Sequence, residues 1–320
     1  MENIKAPSRP DISLIVALYY EQECVEEYVR QVRLCLDEED VSYEIVFTDD
    51  GSQDRTIPIV EALAKEDPRI KLVQLARNYG KEVAVTAGIE HASGEYMIMM
   101  DVDLQDPPDR IMDFYRKIQE GYDLVFGIRK KRNAALVTRL LSKLFWASLN
   151  VMTGLKIPVG ISVMRIFNRK FREEFLRHKE SVRFIEGLFV SIGLRQTTLP
   201  VENRERFAGT TKFNLHKRIK LAINAMLAFS DRPLEIGTGL GMFMVACSSL
   251  SGVYFLVRKL VFDLGLSGWT STVLFIMFIG GVHSILLGII GAYIGRIYTE
   301  VKSRPLYGVQ RRLNFEENDH

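Results

Sequence analysis

The sequence predicts an α/β fold with a doubly wound, mostly parallel sheet, interfacial helices and a C-terminal two-helix transmembrane hairpin. Three observations lead there: apolar runs of strand length alternate with helical patterns from residue 11 to 130, two long stretches near the end carry no charge, and the two halves of the chain have opposite charge. The 320 residues leave room for a catalytic domain plus membrane segments. Hydrophobic residues at 47% and charged residues at 26% exclude disordered, collagen-like and disulfide-scaffold chains. Residues 1–130 hold 15 Lys and Arg against 27 Asp and Glu, and residues 131–320 hold 27 against 13. An acidic half suited to a cation thus precedes a basic half suited to phosphate or anionic lipid. Cys24, Cys35 and Cys247 lack any ligand spacing, so neither a disulfide framework nor zinc is expected.

The predicted strands are 12–18, 43–48, 70–75, 96–100 and 123–127. The first is followed at once by Glu21 and Glu23 without a cleavage site, so it reads as a strand and not a signal peptide. Helical patterns fill 24–36, 55–64, 81–91 and 108–119, and Asp106 before Pro107 reads as an N-cap for the last of these. In such sheets ligands bind beyond the carboxyl ends of the strands. Three of those ends are polar or acidic: Tyr19-Tyr20-Glu21, Asp49-Asp50-Gly51-Ser52-Gln53-Asp54, and Asp101-Val102-Asp103-Leu104-Gln105-Asp106. Clustered carboxylates repel unless a cation or hydrogen-bond donors sit among them. An Asp-x-Asp after a buried strand suits Mg2+ or Mn2+ bridging a diphosphate, because these ions take hard oxygen ligands and leave positions for phosphate and water.

From Ile236 to Val257 there are 22 residues without Asp, Glu, Lys or Arg, and from Leu264 to Gly295 there are 32. Both exceed the roughly 20 helical residues that cross about 30 Å of hydrocarbon. Glycines recur in each, as expected where membrane helices approach closely. Only Arg258 and Lys259 stand in the short connection, whereas Lys and Arg are frequent before and after the pair, so both termini are expected in the cytoplasm. His283, at depth, reads as a helix contact. Residues 135–152 and 213–229 mix apolar and basic positions in the manner of interfacial helices. The resulting division is a disordered N-terminus 1–10, a cytoplasmic catalytic domain 11–212, a juxtamembrane amphipathic helix 213–232, two spans within 233–296 and a cytoplasmic tail 297–320.

The order of the motifs resembles the family 2 glycosyltransferases with a GT-A fold. Val46 to Ser52 with Asp54 and Thr56, Arg77-Asn78-Tyr79-Gly80-Lys81-Glu82, Asp101 to Pro108, Gly127-Ile128-Arg129, Arg206 to Phe213 and the tail Gly295 to Tyr307 carry the resemblance. With two C-terminal spans, the chain is similar over residues 11–310 to the polyprenyl-phosphate glycosyltransferases, the group containing dolichol-phosphate mannose synthase and bactoprenol glucosyltransferase. The resemblance implies hexose transfer, UDP-glucose being the first choice of donor, to undecaprenyl phosphate at the inner membrane. It implies Tyr19, Glu21, Asp49, Asp50, Arg77, Lys81 and Asp101 in nucleotide-sugar binding, and Asp101, Asp103 and Gln105 holding Mg2+ or Mn2+. Asp103, Arg129, Arg206 and Lys212 would be catalytic, the three cations handling the phosphates of donor and acceptor.

Two positions depart from the family pattern: Tyr20 stands where an asparagine is usual, and Gly160-Ile161-Ser162-Val163-Met164-Arg165 lacks the acid that many relatives carry. A lipid monophosphate is already ionised at neutral pH, so it needs positioning and charge neutralisation more than a general base. The partners implied are the nucleotide sugar, the polyprenyl phosphate and the bilayer, with no nucleic acid and with a homo-oligomer left open. A processive polysaccharide synthase is disfavoured because neither Trp146 nor Trp269 follows an Arg. An inactive scaffold of the same fold is disfavoured by the joint presence of Asp101, Asp103, Gln105, Arg129 and Arg206.

Overall fold

The computed structural model describes residues 9–129, 150, 154–155, 157–181, 183–202, 204, 230, 232–262 and 268–315. The expected interfacial helix 213–229, all of 135–152 except Asn150, and the calls on Arg206 and Lys212 lie outside the described residues.

β1 (Ile12–Leu18), β2 (Tyr43–Asp49), β3 (Ile70–Leu75) and β4 (Tyr96–Met99) alternate with α1 (Val25–Leu36), α2 (Thr56–Glu66) and α3 (Lys81–His91). After β4 come a 3-10 turn (Pro108–Arg110), α4 (Ile111–Ile118) and β5 (Leu124–Arg129). Then follow β6 (Ile161–Asn168), α5 (Arg169–Arg177), α6 (Ile185–Ser191), β7 (Gln196–Val201), α7 (Arg232–Phe262), α8 (Trp269–Val301) and β8 (Val309–Leu313). The strands form one sheet in the order β7-β5-β6-β4-β1-β2-β3-β8. β4, β1, β2 and β3 run parallel, β6 is antiparallel to β4 and β5, and β8 is antiparallel to β3. The sheet is therefore mixed, with a parallel centre.

The centre is parallel because α1, α2 and α3 return the chain between its strands, and the strands, covered on both faces, are apolar on both. In β1, Ile12, Leu14, Val16 and Leu18 pack with Val25, Tyr28, Val29 and Val32 of α1, while Ile15 on the other face meets Val85 and Ile89 of α3. Phe171, Phe175 and Phe189 of α5 and α6 extend that second layer beneath β4 and β5. Asp106 is not a helix cap. It is 1% exposed, accepts hydrogen bonds from the Ser162 hydroxyl and from Met164 N at 3.2 Å, and so staples the loop after β4 to β6. The 3-10 turn intervenes between Pro107 and α4, which removes Asp106 from reach of the helix amides.

α7 and α8 are long and apolar enough to cross a membrane, over Arg232–Tyr254 and Phe275–Val301. Of their glycines, Gly237 sits at the crossing, where an added Cβ would meet Leu286 Cδ2 at 2.6 Å. Gly239, Gly241, Gly280, Gly281, Gly288, Gly291 and Gly295 have open space instead, so close packing of the pair explains only the first of the repeated glycines. His283 turns its Nδ1 onto the carbonyl of Ile279, 3.0 Å away in the same helix.

Candidate active site at the carboxyl ends of the parallel strands

The order β4-β1-β2 brings the three polar strand ends side by side, because Leu18 is in register with Asp49 and Met100 N bonds the carbonyl of Ile15 at 3.1 Å. Tyr19 and Tyr20 cap β1, with their rings edge to face at 4.5 Å and both partly exposed. Tyr20 adopts φ +56°, a conformation that costs a non-glycine residue and that an asparagine would adopt more readily. Its amide donates to Ser52 Oγ at 2.9 Å, and the amide of Glu21 donates to Thr56 Oγ1 at 3.0 Å, so the loop after β1 is tied to the loop after β2.

The adjacent acids Asp49 and Asp50 have different surroundings. Asp49 is fully buried; Oδ2 accepts from Gly51 N at 3.0 Å and Ser52 N at 2.9 Å, while Oδ1 is buried and meets no donor among the described residues. Burial raises its pKa against those amide bonds. Asp50 accepts from Tyr79 N at 2.6 Å and Gly80 N at 2.9 Å, so it anchors the loop that carries Arg77. Burial also raises the pKa of Asp50. Gly51 is required between the two loops: its φ is +81°, and a Cβ there would lie 2.8 Å from Asn78 N. Arg77 itself is exposed and lies over the Tyr79 ring at 4.8 Å.

Lys81, the first residue of α3, donates to both oxygens of Asp101 at 2.6 and 2.9 Å. Asp103 is 6% exposed, its Oδ1 accepting from Gln105 N at 3.1 Å across Leu104, which adopts φ +60°. The Gln105 carbonyl receives Arg204 N at 3.0 Å, which brings the chain two residues before Arg206 onto the acidic loop. Arg129 ends β5; its amide bonds Gly160 O at 2.9 Å, and its Nε is buried without a partner among the described residues.

Sequence reasoning missed a buried charge network behind Lys81. Arg165 of β6 is fully buried, with Phe126 and Phe189 rings 5.6 and 5.0 Å away and Glu186 at 3.8 Å. Glu82 accepts from Ile185 N at 3.3 Å, and burial together with nearby Glu186 pushes its pKa up to about 8. The available signal was a single Arg inside the apolar run Val163-Met164-Arg165-Ile166-Phe167.

The model of the Glycosyl transferase family 2 matches residues 13–176, the stretch that builds these loops. The chain belongs to that family. An uncharacterized glycosyltransferase, YkcC, of Bacillus subtilis (strain 168) is 35% identical over 305 residues, covering 95% of this chain and 94% of the relative. The SfII prophage-derived bactoprenol glucosyl transferase of Shigella flexneri is 36% identical over 301 residues, 94% of this chain and 97% of the relative. Among solved structures, glucosyl-3-phosphoglycerate synthase from Mycobacterium tuberculosis in complex with Mn2+ and UDP-glucose is similar at a TM-score of 0.48 and 17% identity, over 68% of this chain and 77% of that one. This glycosyltransferase therefore presents its three polar strand ends on one rim of the sheet, with Asp50 anchoring a loop and Lys81 neutralising Asp101.

Proposed function

We propose that this glycosyltransferase moves a hexose, glucose from UDP-glucose in the first instance, onto polyprenyl phosphate at the cytoplasmic face of a membrane, with inversion at the anomeric carbon. One observation carries the reading: the acidic rim of β1, β2 and β4 belongs to the same sheet that receives β8, the strand following two helices of bilayer length. Relatives of matching length named bactoprenol glucosyl transferase support the acceptor. The division at residues 11–212, 213–232, 233–296 and 297–320, with both termini cytoplasmic, forms part of the proposal.

The donor set fits Mg2+ or Mn2+. Asp101 and Asp103 offer hard carboxylate oxygens of the kind these ions take, and the Lys81 ammonium, which bonds both oxygens of Asp101, would have to give them up to the ion. Asp101, Asp103 and Gln105 would hold the ion, which when bound neutralises the diphosphate. Tyr19, Glu21, Asp49, Asp50 and Arg77 would form the nucleoside side, the orphaned Asp49 Oδ1 accepting from the ligand and Asp50 acting through the Arg77 loop. Arg129, with an unmet Nε, would hold donor phosphate, and Arg206 and Lys212 the lipid phosphate. Because the acceptor phosphate is ionised, the absence of an acid at Gly160 costs nothing in the attack.

Purified full-length protein, polyprenyl phosphate and a panel of radiolabelled nucleotide sugars test this. A lipid-extractable product from UDP-glucose is expected. A product from another nucleotide sugar alone corrects the donor, and no lipid product from any of them refutes the reading.

A further inference from the structure

Among the described residues four non-glycines take a positive φ: Tyr20 at +56°, Leu104 at +60°, Ser303 at +47° and Asn314 at +60°. Two of the four, Tyr20 and Leu104, stand on the rim, in the loops after β1 and β4. Strain of this kind persists where the surroundings hold it and a ligand site uses it. At Tyr20 burial does not offset the strain, because the residue is 39% exposed. The backbone does not require tyrosine either. Its amide bond to Ser52 Oγ, 2.9 Å long, is open to any residue but proline, and asparagine would take the left-handed conformation at less cost. What tyrosine brings to the position is its ring.

That ring lies against Tyr19, with centroids 4.5 Å apart and planes at 70°. An edge-to-face contact occupies at most one face of each ring, so Tyr19, itself 36% exposed, retains a face for a planar ligand. The pair stands beside the acids of the β2 loop. Ser52 joins them: its hydroxyl accepts from Tyr20 N, and its amide donates to Asp49 Oδ2 at 2.9 Å. Desolvation, the Tyr19 phenol, and the carboxylates of Asp54 and Asp49 raise the pKa of the Tyr20 phenol, so the ring is neutral and lies within the field of the same acids. A lone exposed tyrosine loses rotamer freedom when a base stacks on it, and a ring already held by a neighbour loses less.

We propose that Tyr20 positions the nucleobase of the donor: its ring, brought against Tyr19 by the left-handed backbone, holds the Tyr19 ring in the orientation on which the base stacks. The inference rests on the donor being a nucleotide sugar with its nucleoside beside Tyr19 and Asp49. Stacking on an aromatic side chain tolerates any base, so the ligand class is a nucleoside diphosphate and not a uridine nucleotide alone. Tyr20 acts through Tyr19, so its effect is on donor binding and not on the bond-changing step.

Full-length protein in detergent with Mg2+ is titrated calorimetrically with UDP, GDP, ADP and CDP, and saturation-transfer NMR compares the base protons of the bound nucleotide with ribose H1′. Tyr20→Asn should weaken the tightest-binding nucleotide roughly three- to tenfold, the scale of one lost aromatic pair, and lower the base-to-ribose saturation ratio. Its melting temperature should equal or exceed that of wild type, because the strain is relieved. Tyr20→Phe retains both ring and strain and should bind within about twofold of wild type. Affinity unchanged in Tyr20→Asn overturns the proposal, and so does a loss of affinity with the saturation ratio unchanged, or one that Tyr20→Phe shares in full. In each of these cases wild-type binding of a nucleotide leaves the donor reading standing. Wild-type protein that binds none of the nucleotides overturns both.

Discussion

Asp50→Asn tests whether the second acid of the Asp49-Asp50 pair is an anchor for a loop and not a ligand for the nucleoside. Its two oxygens accept from Tyr79 N at 2.6 Å and Gly80 N at 2.9 Å. Bonds to a charged acceptor contribute about 1.5 to 3 kcal/mol each, so the pair is worth about 3 to 6 kcal/mol before the cost of burying the carboxylate. Burial raises the pKa of Asp50 in spite of both amides, so that cost is substantial, and a net loss of about 2 to 3 kcal/mol is expected. Asparagine offers one acceptor and turns an NH2 toward the other amide, so it should behave no better than alanine. For a domain of this size the loss corresponds to a fall in Tm of roughly 4 to 12 °C. Thermal unfolding of the detergent-solubilised chain reads the stability, and calorimetry of UDP-sugar binding reads the displaced Arg77 loop. Wild-type Tm together with weakened nucleotide binding in Asp50→Asn would refute the anchor and return Asp50 to direct contact.

Gly51→Ala should act through the same loop: the left-handed backbone costs about 1 to 2 kcal/mol, and the Cβ meets Asn78 N at 2.8 Å. A double variant with Asp50→Ala should lose less than the two single losses together, and strict additivity in the melts would argue that the loops are independent. Asp103→Asn keeps an acceptor for Gln105 N, so the free energy of unfolding should stay within about 1 kcal/mol of wild type, whereas turnover should fall by roughly two to three orders of magnitude if a metal-holding carboxylate is lost. Near-normal turnover at limiting Mg2+ or Mn2+ would remove Asp103 from that role. Glu82, with an ordinary value of 4.5 raised to about 8, binds its proton more tightly folded than unfolded. Its contribution is therefore full below about pH 4.5 and is lost as pH rises through about 8, so Glu82→Gln should flatten the fall in Tm between pH 5 and pH 9. An unchanged slope would place the titration elsewhere.

The central strands were legible because burial on both faces writes itself as continuous apolar runs. The predicted ranges for β1 and β3 match the observed Ile12–Leu18 and Ile70–Leu75, and the range for α3 matches Lys81–His91. β8 left no such trace. Val309–Leu313 contains Gln310, Arg311 and Arg312, and it is a strand because β3 offers an open edge, with Arg311 reaching Glu61 and Asn314 donating to the carbonyls of Ala64 and Ile70. Edge strands with charged side chains carry little hydrophobic pattern. At the rim, the motifs located the acids but could not sort them. Asp50 and Asp106 spend their oxygens on backbone amides and a serine, Asp101 holds a lysine, and Asp49 keeps one oxygen unmatched. That sorting depends on partners 20 to 58 residues away, which no local spacing encodes.

The return of the chain from α8 to the sheet bears on how a membrane-bound acceptor could meet a site on a soluble layer. Glu300, at the end of α8, is bonded to Ser181, and Tyr307 donates to Glu90 of α3. One residue later Gly308 accepts from Ala76 N at 2.8 Å and donates to the Tyr79 hydroxyl at 3.1 Å, at the loop that Asp50 anchors. β8 then adds antiparallel pairing to β3. A flexible tail would let the rim sample many heights above a bilayer, and each would carry an entropic cost for bringing a lipid phosphate to the donor. Here successive hydrogen bonds fix the tail from the helix end to the Arg77 loop. The distance between the end of α8 and the rim is thereby set by the fold, so, on the proposed function, an acceptor held at headgroup level would be positioned by the folded state and not afresh at each turnover.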